Sequence, residues 1–141
     1  MSSSRVVLDT NVLVSALLSP FGKPARVLDL VLAGEVRLIF DDRLLAEYRE
    51  VLARPKFGFH KEDVQALMDF LVAEGEPVVA LPLFVTLPDS DDLPFLEVAV
   101  QANAPLVTGN KVHFPDAPLP PQAVVMTPRE FLDRWGQSIQ R

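Results

Sequence analysis

Carboxylates stand at three separated places in this chain where an open α/β fold could use them. The first, Asp9, directly follows the short run Val6-Val7-Leu8 and precedes Thr10-Asn11 and a second apolar stretch, Val12 to Leu18. Val6 to Leu8 reads as a buried strand and the second stretch as a helix. Asp9 therefore falls just beyond a strand's carboxyl end, where ligands gather in open α/β sheets. An aspartate there also serves as an ordinary helix N-cap. The second, Glu47, lies among Leu44, Leu45, Tyr48, Val51 and Leu52, which form one helical stripe. At ~100° per residue, Glu47 borders that stripe and Glu50 lies on the far side. Glu50 is a solvated charge, while Glu47 either reaches the sheet rim or remains a surface glutamate. The third place is the cluster Asp89-Ser90-Asp91-Asp92. Asp92 precedes Phe95 by three residues and so shares the face of Phe95, Val98, Ala99 and Ala102. A carboxylate aimed at a core edge is costly unless it is paired or metal-bound. Asp92 is the foremost candidate of the cluster and Asp89 the next, though Asp89 and Asp91 also suit caps or turns. Glu97 is expected to point away from the core face.

Carboxylates converging from three elements suit a divalent cation. The acidic cluster is not a calcium loop, because the glycine and glutamate that such a loop needs at its sixth and twelfth positions are Pro94 and Val100. Asn110 follows Leu106-Val107-Thr108-Gly109 at another expected strand end, as a neutral oxygen ligand or a turn residue. Thr108 could add a hydroxyl to the same pocket, and Asn11, Thr108 and Asn110 are the supporting or substrate-facing candidates. His60 and His113 are the only histidines and are read as exposed loop residues, with no second histidine at metal-binding spacing. A phosphatase motif of the Asp-x-Asp kind would need an acid where Asn11 stands. Neither a Ser-His-Asp arrangement nor a P-loop is present.

The elements that must position these groups alternate, which predicts βαβ units and a mostly parallel sheet. Helices are expected over 25–32, from Asp42 (as its cap) to about Ala53, over 61–74, and from Asp91 or Asp92 through Asn103. Strands are expected at 36–40, 106–108 and 123–126. Any strand within 78–86 is confined to an edge by Pro77, Pro82 and Pro88. Thr127-Pro128-Arg129-Glu130 combines an early proline with a capping box and opens a terminal helix. Arg54, Lys56, His60 and Lys61 surround Phe57 and Phe59 between two helices. Basic and aromatic side chains so mixed suit single-stranded RNA; a solvated loop with its phenylalanines packed inward fits the same residues.

The totals set outer bounds. At 141 residues and 49% hydrophobic, the chain is expected to form one domain, 1–141, with a real core. A net charge of −6 excludes a generally sticky basic nucleic-acid binder, but leaves room for an acidic pocket organised by a cation. Cysteine is absent, so disulfides and thiolate metal sites are excluded. With no secretory or membrane-spanning run in view, a cytoplasmic protein is expected.

Taken in order, Val6-Val7-Leu8-Asp9-Thr10-Asn11-Val12-Leu13-Val14-Ser15, Leu45-Ala46-Glu47-Tyr48, Asp89 to Glu97 and Leu106-Val107-Thr108-Gly109-Asn110-Lys111 resemble the PIN domain, in its branch of toxins from bacterial toxin–antitoxin systems. The resemblance spans Arg5 to about Trp135. It implies a three-layer sandwich, a central mostly parallel sheet flanked by helices. It also implies endoribonuclease activity with Mg²⁺ or Mn²⁺, an antitoxin partner and a homodimer. Asp9 matches the family's first acid, Glu47 the second and Asp92 the third, while Asn110 stands where many relatives carry a fourth. The rival expectation is a PIN fold that binds RNA or a protein partner without cleaving.

Overall fold

In the computed structural model, residues 4–116 and 119–139 are described. The outermost ends of the expected domain and Ala117-Pro118 lie outside the described residues. Five strands form a sheet in the order β3-β2-β1-β4-β5 (β1 Ser4–Leu8, β2 Val36–Phe40, β3 Glu76–Pro77, β4 Leu106–Val107, β5 Val125–Met126), and every pairing is parallel. Among the described residues six α-helices flank it: α1 Thr10–Leu18, α2 Lys23–Leu32, α3 Asp42–Leu52, α4 Lys61–Glu74, α5 Leu93–Ala102 and α6 Pro128–Ile139. β1 is the central strand, and Val6, Val7 and Leu8 are fully buried. Continuous apolar runs of this kind are what a parallel sheet covered on both faces demands.

The strand order reverses at β1, which pairs with β2 on one side and with β4 on the other, Val7 opposite Leu106 and Leu8 opposite Val107. Connections leave β1 and β4 in opposite directions, opening a crevice beyond their carboxyl ends. Asp9 and Thr108 are the first residues past those two ends. The Asp9 N–H donates to the Val107 carbonyl at 2.9 Å, so the two ends are held in register.

Several local expectations shift. The cap of α3 is Asp41 rather than Asp42: its side chain accepts from the Arg43 and Leu44 N–H groups. α2 starts at Lys23, because Pro24 lies in the first turn, where a missing N–H costs nothing. The edge strand is Glu76–Pro77, just before the expected stretch, and from 78–86 only the Val78 N–H joins the ladder, on Phe40. The capping box opening α6 forms as expected, with Thr127 and Glu130 exchanging backbone-to-side-chain bonds. Gly75 lets α4 close against β2; a Cβ there would stand 2.6 Å from both the Leu71 carbonyl oxygen and Phe40 Cε2.

Candidate active site

Asp9 has the extended backbone of an N-cap, yet its side chain makes no capping bond. Instead it turns into the crevice, only 4% exposed. The Thr108 hydroxyl donates to Asp9 Oδ2 at 2.8 Å and itself accepts from the Asn110 N–H at 3.0 Å. Asn11 Nδ2 lies 3.4 Å from the same Asp9 oxygen, while Asn11 Oδ1 accepts from the Gly109 N–H at 3.0 Å. Asn11 and Thr108 thus tie the loop after β1 to the loop after β4 and fix the carboxylate between them.

Glu47 is half-buried on α3 and accepts a hydrogen bond from the Thr10 hydroxyl. The helix is registered by its neighbour: Tyr48, fully buried, donates its hydroxyl to the Leu8 carbonyl at 2.6 Å. Thr10 was not a sequence candidate. Its position beside Asp9, at the first turn of α1, was the available signal.

Asp92 sits at the start of α5, again without a capping bond, and is half-buried. His113 Nδ1 lies 3.0 Å from Asp92 Oδ2. The expectation that His113 is merely an exposed loop residue is corrected. The short 3₁₀ turn Lys111–His113 after β4 carries its half-buried ring onto the acidic cluster, a contact invisible in sequence spacing. Asp89 is exposed and caps the turn ahead of α5 through the Asp91 N–H. Potential ligand atoms of Asp89, Asp92 and His113 all lie within 4.8 Å of one another.

The electrostatics join the two halves. Burial raises the Asp9 carboxyl above its ordinary range, opposed by the Thr108 bond and reinforced by Asp92. Glu47 is raised by burial, opposed by Thr10 and reinforced by Asp9 and Asp91. Asp92 is likewise raised by burial, with His113 acting against it and Asp89 and Glu47 adding to it. Carboxylates from α3 and from the starts of α1 and α5 therefore repel one another across one crevice, the chemistry a divalent cation complements.

The remaining candidates divide. Asn110 is exposed and contributes its backbone N–H to Thr108. Arg54 and Lys56 are exposed and engaged locally: Arg54 pairs with Glu50 at 2.9 Å, and Lys56 Nζ lies 5.1 Å from the Phe57 ring centre. Phe57 stacks on Phe59, and both are half-buried. Glu97 corrects its expectation outright. It is 5% exposed and accepts from Arg43 at 2.7 Å and from the Leu83 N–H at 2.8 Å. The irregular segment after β3 brings Leu83 to that side of α5, covering a face that the helical stripe alone leaves to solvent.

Likenesses to known proteins agree with this fold. The family model described as PIN domain matches residues 5–112. The uncharacterized protein MJ1680 of Methanocaldococcus jannaschii is 30% identical over 110 residues, 76% of this chain and 71% of that one. VapBC2 from Rickettsia felis, solved bound to a DNA fragment from its promoter, matches with a TM-score of 0.56 at 20% identity, over 86% of this chain and 96% of the other. FitAB bound to a DNA fragment matches with a TM-score of 0.58 at 18% identity, over 87% and 94%. FitAcB from Neisseria gonorrhoeae gives 0.56 at 19%, over 88% and 98%. With a model match across most of its length, and the strand-end acids held in the crevice that the fold provides, this chain belongs to the PIN domain family.

Proposed function

We propose that this protein is a Mg²⁺- or Mn²⁺-dependent endoribonuclease and the toxin member of a toxin–antitoxin pair. The observation that carries the reading is the crevice beyond β1 and β4 that buries Asp9 and half-buries Glu47 and Asp92, burial first and then neighbouring carboxylates raising their pKa values. These acids fit a hard divalent ion, which takes one or two direct carboxylates and keeps waters that the other acids can hold. When bound, the ion supplies a water acidified towards neutrality and positive charge against the scissile phosphate.

The chain's own groups do the rest. Thr108 and Asn11 fix the Asp9 carboxylate from two sides, and Thr10 fixes Glu47, so the ligand oxygens are aimed before anything binds. Burial keeps bulk water from screening them. Asp92, paired with His113, lines the crevice from the start of α5. Arg54 and Lys56 offer phosphate contacts outside it.

The reading is tested by Asp9→Asn and Asp92→Asn, each checked by circular dichroism and an RNA cleavage assay with Mg²⁺ or Mn²⁺. Each variant is expected to keep its fold and lose cleavage; full activity in either overturns the assignment. The neutral side chain of Asn110 favours a second reading, a PIN module that binds RNA without cutting it. An inert wild type that still binds RNA would establish that one.

The partner proposal is supported by the likeness to VapBC2 and FitAB, both solved bound to DNA. On that likeness the proposed partner is a small antitoxin, and pairing with a second copy of the chain is proposed from the family resemblance alone. Light scattering and a pull-down from the native host test both; a strict monomer without a bound partner counts against them.

A further inference from the structure

The histidine beside Asp92 changes what kind of ion that end of the crevice prefers. Asp89 and Asp92 come from the turn leading into α5, and His113 from the turn after β4, two stretches separated in the chain by α5 and β4. Their ligand atoms lie within 4.8 Å of one another. Opposed donors on a divalent ion at ~2.1 Å stand about 4.2 Å apart, so small side-chain adjustments suffice to bring all three onto one centre. Asp92 makes no cap bond and turns its Oδ2 to His113 Nδ1, a contact that an ion between them would replace, and Asp89 spends only Oδ1 on its turn. An imidazole nitrogen is a poor donor for Mg²⁺ and a good one for first-row transition ions.

We propose that His113 ligates the ion held by Asp89 and Asp92, making this end of the crevice selective for a first-row transition ion over Mg²⁺. The proposal takes its ion from the metal-dependent reading above and adds a nitrogen ligand to it. Asp9 and Glu47, which offer only oxygen, form the end of the crevice that suits Mg²⁺ equally.

The test uses Mn²⁺ as the probe, titrated into the full chain by electron paramagnetic resonance with Mg²⁺ as competitor. Pulsed measurements on the bound Mn²⁺ should show coupling to an imidazole ¹⁴N. His113→Gln should abolish that coupling and weaken Mn²⁺ by about tenfold or more, the scale on which a lost partner of a metal site is felt, while Mg²⁺ affinity changes far less. His60→Gln, at the only other histidine, should keep the coupling. Wild type without ¹⁴N coupling, or coupling that survives in His113→Gln, overturns the proposal and leaves RNA cleavage untouched as a question. Nitrogen-coupled Mn²⁺ on a protein that cuts no RNA would instead overturn the ribonuclease reading and leave this site standing.

Discussion

Replacing Thr108 by valine removes one oxygen from the most enclosed part of the site at nearly constant volume. Thr108 is fully buried, and its hydroxyl makes two bonds: one donated to Asp9 Oδ2 at 2.8 Å, one accepted from the Asn110 N–H at 3.0 Å. The second bond is part-buried and neutral, so its loss is the smaller one and does not depend on the charge of Asp9. The first is a hydrogen bond to a buried charge, worth about 1.5–3 kcal/mol. Its loss falls on the ionised form of Asp9 alone, because the Thr108 bond is the leading influence holding that carboxyl down against burial. Metal binding requires the deprotonated ligand, so wherever the ion-free variant holds Asp9 protonated the same energy should appear as a loss of up to about 10- to 100-fold in divalent-ion affinity. The pH dependence has a definite sign. A carboxyl raised in the folded state binds its proton more tightly there than in the unfolded chain, so the ion-free protein loses stability as pH rises from 3.8 through the raised value. Thr108→Val raises that value further, extending the loss to higher pH, and its penalty should shrink in acid, where Asp9 is neutral. Calorimetric metal titration and thermal melting of wild type and variant at mildly acidic and neutral pH measure both effects. Equal metal affinities, or a melting penalty independent of pH, would refute the role given to Thr108.

Asn110→Asp should tighten divalent-ion binding by adding a charge beside Thr108, measured by calorimetry; equal affinities would take Asn110 out of the site. Charge reversal at Arg54 and Lys56 should weaken RNA binding in a salt-dependent manner, and unchanged affinity at low salt would remove that loop from the RNA path. Gly75→Ala should lower stability by at least about 1–3 kcal/mol, the usual range for overpacking, since its Cβ would overlap backbone and ring atoms alike; a melting temperature equal to wild type would show that α4 can shift freely.

The parts of this molecule that sequence patterns reveal are those governed by near neighbours in the chain. Val6 to Leu8, Val36 to Phe40, the span of α4 and the capping box before α6 follow from local apolar runs, glycine and proline. Asp9, Glu47 and Asp92 were legible because strand ends and helix stripes place them with no knowledge of the partner element. Glu97 and His113 were not. The environment of Glu97 is made by a segment with no periodicity, in which Leu83 supplies a backbone N–H from fourteen residues away. His113 meets Asp92 across twenty-one residues through a turn whose path depends on how β4 docks. The choice of Asp41 over Asp42 as the cap of α3 was settled by side-chain geometry that two adjacent aspartates cannot signal.

The bond between Thr108 and Asp9 spans ninety-nine residues of chain. Since β1 gains its second neighbour only when β4 inserts beside it, nothing shorter than the stretch from Asp9 to Thr108 contains the assembled crevice. Closing so long a loop is an ordering cost met late, after the local βα pairs have formed. A chain still emerging from the ribosome with β4 unmade therefore lacks both the Thr108 hydroxyl that fixes Asp9 and the turn that carries His113 to Asp92. Whatever chemistry the crevice performs is withheld until β4 has been made and has docked beside β1, and a deletion anywhere in β4 should silence it as thoroughly as loss of Asp9 itself.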